Sequence, residues 1–395
     1  GLWIGTRGGL LHLFAPSVRH ISQVGGTPLV YASHFTRTAR GGLWVNTWGS
    51  GVIRLRPHRA RLTPRDEAQW MAVGSRNGRM YALNQRGWFR RESDGEWWKL
   101  APANGAVRGI VNANGVGYFW HNRGLYRHDP NRPESPVRLF SWKASNNGTH
   151  AHTLAPNDDV ILYAAGALLR GIRTDGGGAP VSFDTLATLP TGYAGAGIRY
   201  MAFDRRDVAW LAFRHRGLVR VETARDTAPV DPVLPGRSMM GVTLSGDSLA
   251  LAGARDGLYV LGQRNGTLRR RLTAADGLLA TTTQSATVFG DTLYASHPRG
   301  LTAMPLQSLF RTPSPPDVLL SRVERGFEQI APQAPPRFDA ADRTVGFGFA
   351  ATAFRNPRRV TYEYRLVPHD TTWSSDREGF TRYVDLPPGR YRFEV

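Results

Sequence analysis

The sequence predicts an all-β protein: a β-propeller followed by a small β-sandwich of the immunoglobulin or fibronectin type. Three observations predict it. Short apolar strands recur with a period of roughly 40 residues, a glycine closes a tight turn in nearly every copy, and strand-like segments continue without that period after a proline-rich break. The 44 glycines and 26 prolines among 395 residues fit many strands joined by turns.

The repeat is clearest in the segments 1–10 and 42–52, where a strand containing tryptophan runs into a turn, a glycine and a second strand. Aligned copies place the turn-closing residue at positions 9, 51, 87, 124, 167, 217, 257 and 300. A tight turn requires positive φ at one position, which glycine adopts without strain. Units of about 40 residues with this pattern are typical of four-stranded propeller blades, which bury their faces by stacking in a ring.

A further apolar segment precedes each hairpin except the first and is predicted to form the strand that lines the channel. The segments are 29–32, 71–73, 107–111, 151–154, 198–203, 239–242 and 286–288. Seven blades between about residues 25 and 310, with a truncated blade remnant at 1–20, therefore make up a propeller domain of residues 1–310. An eight-bladed ring is the alternative.

The segment 311–317 is predicted to be a linker, since adjacent prolines provide no donors to a strand ladder. Residues 318–395 are predicted to form the sandwich, because apolar and polar residues alternate at 360–366 and 391–395. The chain begins inside one strand-like motif and stops inside another. We therefore interpret it as a fragment whose C-terminal domain is truncated at its end.

Two motifs carry a resemblance to a known family. The segment Gly1 to Leu10 is similar to the two-component regulator propeller repeat, and the C-terminal stretch resembles the three-Y (Y_Y_Y) domain that follows such propellers. The three-Y motif is matched by Tyr364, Trp373, Tyr383 and Tyr391, which we interpret as structural core and corner residues.

The resemblance implies the extracytoplasmic sensor region of a bacterial histidine kinase or diguanylate cyclase, located in the periplasm. It implies that ligand binding by the propeller is coupled through a missing transmembrane helix to a cytoplasmic output domain. It also implies a homodimer of the full-length protein. We expect no cofactor and no catalytic activity in this fragment, although the missing output domain is expected to be an enzyme.

Composition limits the other function classes. The formal charge is +19, and all but two of the 50 basic residues are arginines, the exceptions being Lys99 and Lys143. Because the arginines are scattered singly, the charge is better explained by genomic arginine bias than by nucleic-acid binding. The absence of cysteine excludes disulfides, thiol catalysis and cysteine-type zinc sites. No apolar stretch is long enough to span a membrane.

The turns between the second and third strand of each blade carry the candidate ligand-binding residues. All such turns open on one face of a propeller, so five or more blades would direct a guanidinium at the channel mouth. Arginine binds carboxylates and sulfates, and aromatic rings stack on sugars, which favours a small-molecule or oligosaccharide ligand that is anionic. Ordinary exposed turns, or arginines paired with acids of neighbouring blades, are the alternative. The candidates are Arg7, Trp48, Arg86, Arg123, His215, Arg216, Arg255, His297 and Arg299.

Other chemical motifs are weak. His150 and His152 share one strand face near Asp158 and Asp159, but a His-x-His pair alone does not predict a metal site. No nucleophile elbow or phosphate loop is present. Two alternative functions stay open at this point. They are a carbohydrate-active lyase or glycosidase on a propeller scaffold, and a scaffold that binds other proteins.

Overall fold

The structure of the chain is a computed structural model, which describes 24 ranges of residues. The described ranges are 2–6, 9–13, 18–37, 41–47, 50–56, 60–61, 71–76, 79–84, 87–92, 95–101, 108–111, 116–121, 124–129, 137–141, 152–154, 160–165, 168–174, 180–193, 196–223, 230–310, 317–330, 337–339, 341–351 and 360–395.

The N-terminal strands fall into three groups. Strands β1 (Leu2–Thr6) and β2 (Gly9–Leu13) form a two-stranded hairpin. Strand β3 (Arg19–Ile21) follows, and then a second small hairpin of β4 (Gln23–Val24) and β5 (Thr27–Pro28).

Six four-stranded antiparallel sheets come next, and each pairs its strands in chain order. The first contains β6 (Ala32–Arg37), β7 (Leu43–Thr47), β8 (Gly51–Arg56) and β9 (Ala60–Arg61), and the second β10 (Met71–Arg76), β11 (Arg79–Asn84), β12 (Gly87–Arg91) and β13 (Trp97–Ala101). The third contains β14 (Arg108–Val111), β15 (Gly117–His121), β16 (Gly124–His128) and β17 (Val137–Ser141), and the fourth β18 (His152–Leu154), β19 (Val160–Ala165), β20 (Leu168–Thr174) and β21 (Pro180–Thr188). The fifth contains β22 (Ile198–Phe203), β23 (Val208–Phe213), β24 (Gly217–Glu222) and β25 (Val230–Pro235), and the sixth β26 (Met239–Ser245), β27 (Leu249–Ala254), β28 (Gly257–Gly262) and β29 (Leu268–Leu272).

The seventh sheet combines the two ends of this region. Strands β30 (Ser285–Phe289), β31 (Thr292–His297) and β32 (Gly300–Pro305) are completed by β3, which pairs with β32. The first strands of successive sheets contact one another, and β30 contacts β6, so the described sheets form a closed ring of seven blades. The predicted propeller is confirmed, and the eight-bladed alternative is excluded.

Two expectations about strand positions are corrected. Residues 19–21 belong to a complete blade and not to a severed remnant, because β3 is the outer strand of the seventh sheet. The inner strand of blade 1 begins at Ala32, whereas the segment before it leads into the strand. The chain divides into one compact unit of residues 16–310 and another of residues 1–15 with 311–395.

Neighbouring blades bury apolar side chains between them. Trp210 and Leu218 of blade 5 pack with Met239 and Tyr259 of blade 6 in one buried cluster. Strands β23, β27 and β28 are buried along their whole length, since each blade lies between two others. Such strands read as continuous apolar runs and lack the alternation of a half-exposed sheet.

The turn glycines have two physical reasons. Gly217 has φ +93°, and a Cβ there would lie 1.9 Å from the carbonyl oxygen of Leu234 on the fourth strand of the same blade. Gly300 has φ +146°, and its Cβ would lie 2.5 Å from the carbonyl oxygen of Ile21. The glycine therefore permits both the turn and the close approach of the outer strand.

The C-terminal region forms two small sheets. One contains β33 (Val318–Arg325), β34 (Glu328–Ile330), β35 (Val345–Ala351) and β38 (Phe380–Tyr383), in the order β34-β33-β35-β38. The other contains β36 (Tyr362–Val367), β37 (Ser374–Asp376) and β39 (Arg392–Glu394), in the order β37-β36-β39. Phe347 of the first sheet stacks on Phe393 of the second at 4.1 Å between ring centroids, as expected for a sandwich core.

Helical elements within the described ranges are three short 3-10 turns, Thr191–Tyr193, Ala274–Asp276 and Leu306–Leu309. None of them has the length or apolar character needed to cross a membrane.

Candidate ligand-binding site at the channel mouth

The turns between the second and third strands of blades 5, 6 and 7 lie beside the starts of inner strands. In each case a backbone hydrogen bond joins the turn to a residue that directly precedes an inner strand. The bonds run from the Arg214 amide to the Gly197 carbonyl (3.0 Å), from the Arg255 amide to the Ser238 carbonyl (3.1 Å) and from the Tyr31 amide to the Pro298 carbonyl (2.8 Å). Because the inner strands line the channel, these turns border its mouth.

Three arginines in these turns are exposed and occupy similar places in three successive blades. They are Arg216, Arg255 and Arg299, which we call the rim arginines. Within the described ranges, none of the three forms an ion pair or a side-chain hydrogen bond. A guanidinium without a carboxylate partner retains its five donors for an anion from solution.

The acid nearest to these arginines in sequence already has its own partners. The carboxylate of Asp256 accepts a hydrogen bond from the Tyr259 hydroxyl at 2.7 Å. It also pairs with Arg237 at 3.0 Å and Arg271 at 3.1 Å. Asp256 therefore fixes the turn of blade 6 and leaves Arg255 beside it without an acidic partner.

The two candidate histidines differ. His215 is exposed in the turn of blade 5. His297 is fully buried: its Nδ1 lies 2.9 Å from the Thr282 carbonyl oxygen and its Nε2 lies 2.9 Å from the Thr302 hydroxyl. Burial lowers the pKa of His297 to about 4, which keeps the imidazole neutral. His297 therefore stabilises the turn through its hydrogen bonds to Thr282 and Thr302. The prediction that it contacts ligand is corrected to a structural role.

The remaining rim candidates, Arg7, Trp48, Arg86 and Arg123, lie outside the described residues. The same holds for His150, Asp158 and Asp159, whereas His152 begins β18. Across the parts of the chain that the structure describes, no group of three or more His, Asp or Glu side chains is placed to hold a metal ion.

Sequence reasoning missed the side chains within the mouth. His34 of blade 1 and Tyr200 of blade 5 contact each other across the channel at 4.5 Å between ring centroids. Arg199 directly precedes Tyr200 in sequence and donates to the Met240 sulfur at 3.3 Å. Each of these residues lies near the first residue of its inner strand. That position was the available signal, because a strand that runs away from the mouth places its first residues there.

The three-Y residues lie in the C-terminal unit and have different environments. Tyr383 is buried and donates a hydrogen bond to the Asp370 carboxylate at 2.7 Å, and burial together with that bond raises its pKa. Burial acts to raise the pKa of Asp370, but hydrogen bonds from Tyr383, His369 and the Leu366 amide lower it overall. This network joins the end of β36 to β38.

The other three motif residues are less buried. The Tyr391 hydroxyl donates to the Pro387 carbonyl oxygen at 2.7 Å, which is a corner contact. Tyr364 packs against Phe349 at 5.5 Å between ring centroids. Trp373 is corrected from a core residue to a surface residue, since 48% of it is exposed and Arg365 covers its ring at 4.5 Å.

Comparisons with known proteins agree with this architecture. Residues 353–395 match the Y_Y_Y domain. No curated protein matches the chain. Among solved structures, the extracellular domain of BT3049 from B. thetaiotaomicron, described as a hybrid two component system, has a TM-score of 0.72 at 15% identity. The match covers 99% of this chain and 57% of that chain.

Two further structures share the fold. The extracellular domain of BT4673 from the same organism, also described as a hybrid two component system, has a TM-score of 0.58 at 13% identity, covering 99% of this chain and 57% of its own. Virginiamycin B lyase from Staphylococcus aureus, crystallised with quinupristin, has a TM-score of 0.55 at 11% identity, covering 72% of this chain and 98% of its own. The chain thus spans 57% of the length of each of the two extracellular domains.

The resemblance expected from the sequence is therefore confirmed: the chain carries a Y_Y_Y domain after a seven-bladed propeller and has the fold of the extracellular domains of Bacteroides two-component systems.

Proposed function

We propose that this chain is the ligand-sensing region of a bacterial signalling protein and that it works by binding rather than by catalysis. The extent of the fold matches supports this function. The fold match to the sensor domains extends over 99% of the chain, through both the propeller and the Y_Y_Y domain, whereas the lyase match extends over 72%. These proteins are at most 15% identical to this chain, so their functions support the proposal without establishing it.

The observation that carries the proposal is the set of rim arginines. Three exposed guanidiniums lie on neighbouring turns of one face, and within the described residues no acid neutralises them. Arginine binds carboxylate and sulfate through two parallel hydrogen bonds, which gives direction as well as attraction. We infer that the ligand is a small anionic molecule, and an oligosaccharide with carboxylate or sulfate groups matches this chemistry.

The remaining parts of the proposal concern the full-length protein. A sensor of this type would place the propeller in the periplasm and would connect it through a membrane helix to an output domain in the cytoplasm. A homodimer would be the signalling unit. The location outside the cytoplasm rests on the likeness to the two extracellular domains. The membrane helix, the output domain and the homodimer rest on the resemblance of the sequence motifs to the family.

The test is binding of defined sugars, measured by calorimetry and thermal shift. The probes are a galacturonic-acid tetramer, a sulfated galactose tetramer and a neutral galactose tetramer. We expect the wild-type chain to bind an acidic tetramer in preference to the neutral one. The triple variant Arg216→Gln, Arg255→Gln, Arg299→Gln should weaken that binding at least about tenfold, which corresponds to roughly 1.4 kcal/mol.

A matched control removes three charges elsewhere on the propeller. Arg205, Arg264 and Arg269 are exposed, and Arg205 and Arg264 lie in turns at the opposite ends of the strands. Their triple substitution to glutamine should leave affinity within about twofold of wild type. Equal losses in the two triple variants would show that only net charge matters. Failure of both acidic tetramers to bind the wild-type chain would overturn the proposed function.

A further inference from the structure

One segment between blades 6 and 7 is bonded to the turns of two rim arginines. The segment, residues 279–283, lies between the outer strand of blade 6 and the inner strand of blade 7, and we call it the linking segment. The Thr283 amide donates a hydrogen bond to the Ala254 carbonyl at 2.9 Å, and the Thr282 hydroxyl donates to the Arg255 carbonyl at 3.3 Å. The linking segment therefore holds the turn of blade 6 at the residue that carries the rim guanidinium.

The linking segment is bonded to the turn of blade 7 through the buried His297 side chain. His297 ends β31 two residues before Arg299, and its Nδ1 lies 2.9 Å from the Thr282 carbonyl oxygen. Because a carbonyl oxygen can only accept, Nδ1 carries the hydrogen, and Nε2 of the neutral ring accepts from the Thr302 hydroxyl at 2.9 Å. That hydroxyl accepts in turn from the Leu279 amide at 2.8 Å. Both ring nitrogens are thus satisfied in one tautomer, which fixes the ring between the linking segment and β32.

The turn of the third rim arginine, Arg216, is held differently. Its backbone bond runs from the Arg214 amide to the Gly197 carbonyl within blade 5. Across the described ranges, no side-chain hydrogen bond joins residues 214–216 to another blade. Among the rim arginines, Arg255 and Arg299 are therefore the pair whose turns share a hydrogen-bonded link.

We propose that His297 is a positioning residue for ligand binding, because through Thr282 it fixes the turn of Arg299 relative to the turn of Arg255. This inference rests on the proposed function and narrows the ligand to an oligosaccharide with at least two acidic groups. Binding is weakened when the groups that contact a ligand must first be ordered, and a link between the two turns removes that cost beforehand. His297 is fully buried, so it acts through the turns and not by touching the ligand.

The experiment compares His297→Leu and His297→Asn with the wild-type chain, by calorimetry with the galacturonic-acid tetramer and the sulfated galactose tetramer. Leucine fills the buried site but has no donor for the Thr282 carbonyl. Asparagine restores that donor, because its amide nitrogen is attached to Cγ as Nδ1 is in histidine. We expect His297→Leu to bind an acidic tetramer about fivefold more weakly, and His297→Asn to bind it within about twofold of wild type.

Two arginine backgrounds separate positioning from a loss of stability. In the Arg255→Gln, Arg299→Gln background, His297→Leu should weaken binding by less than about a further twofold, because the groups that it positions are gone. In the Arg216→Gln background it should keep its effect of about fivefold. Equal losses in the two backgrounds would overturn the inference. Gly246→Ala is the control for stability alone, since Gly246 has positive φ and nothing within 4 Å of its Cβ, and it should leave affinity within about twofold of wild type.

Thr282→Val tests the same link from the other side, including the case that His297→Leu does not fold. It removes the hydroxyl that bonds to the Arg255 carbonyl, at a half-buried position. We expect about threefold weaker binding of an acidic tetramer, and unchanged affinity would overturn the inference. If the tetramer binds and depends on the rim arginines but not on His297 or Thr282, the inference alone fails. If neither acidic tetramer binds the wild-type chain, the proposed function fails and this inference fails with it.

Discussion

The rim arginines and the arginines on the strands of the two C-terminal sheets differ in their partners. In the C-terminal sheets, Arg322 pairs with Glu324 at 3.2 Å, and Arg382 pairs with the same carboxylate. Arg365 pairs with Glu394 at 2.6 Å and also covers the Trp373 ring. The rim arginines have no such partners within the described ranges.

Net charge is therefore a poor guide to function in this chain. Arginines on the C-terminal sheets have structural contacts. Each pairs with a carboxylate or covers an aromatic ring that would otherwise be unpaired or exposed. The arginines at the mouth contribute no such contact. The +19 charge is therefore a mixture of structural and available guanidiniums, and only their partners separate the two groups.

We expect the greatest loss of stability from a substitution at the turn glycine of blade 5. Gly217→Ala should destabilise the propeller by more than about 3 kcal/mol, because the new methyl group would lie 1.9 Å from the Leu234 carbonyl oxygen. Gly246→Ala is the matched control, since Gly246 also has positive φ but has nothing within 4 Å of its Cβ. It should cost about 1 kcal/mol. Urea unfolding followed by far-UV circular dichroism measures both, and similar losses would contradict the close-approach argument.

A smaller effect concerns pH at the mouth. The pKa of His297 is lowered by burial from 6.5 to about 4, so protonation favours the unfolded chain. Above pH 6.5 the imidazole is neutral in both states, so it does not lower the free energy of unfolding. As the pH falls towards 4, the unfolded chain takes up the proton first, and the free energy of unfolding decreases by roughly 3 kcal/mol in total. The measurement is the free energy of unfolding of wild type and His297→Gln between pH 7 and pH 4.5.

The wild-type advantage over His297→Gln should shrink across that range. Parallel pH profiles would show that His297 does not contribute to acid sensitivity.

The smallest effect tests the comparison directly. Arg382→Gln should destabilise the Y_Y_Y domain by about 1–2 kcal/mol, because it removes a charged partner from the largely buried carboxylate of Glu324. Arg255→Gln should change propeller stability by less than about 0.5 kcal/mol, since Arg255 is exposed and without an acidic partner. Thermal unfolding of each variant gives the two values. A larger loss at Arg255 would mean that the rim arginines are also structural.

Much of the fold was predictable from the sequence because its signals are local. A turn glycine and a neighbouring apolar strand lie within ten residues of each other, and they repeat, so the blades and their inner strands emerge from spacing alone. The closing strand was not predictable. Arg19–Ile21 is three residues long, and its partner in β32 lies some 280 residues away, so no local pattern marks the pairing.

The candidate site divides in the same way. Arg216, Arg255 and Arg299 were predictable as exposed turn residues because turns lie at the surface. His297 was not predictable as a buried residue, since its burial depends on Thr282, which follows the preceding blade. Tyr31 was assigned to a strand because its apolar neighbours resemble one. Its left-handed φ accompanies a backbone hydrogen bond from the Tyr31 amide to the Pro298 carbonyl of blade 7, which lies far away in sequence.

The closure of the ring by β3 has a mechanical consequence. The chain enters the propeller unit through β3 and leaves it after β32, and these two strands are paired neighbours in one blade. Tension between the segments that flank the unit would load the three-residue ladder of β3 and β32, anchored by the buried Ile21, while the other six blades stay unstressed. Pulling experiments should therefore open this blade first, with a rupture force set by the β3–β32 pairing and not by the strength of the whole ring.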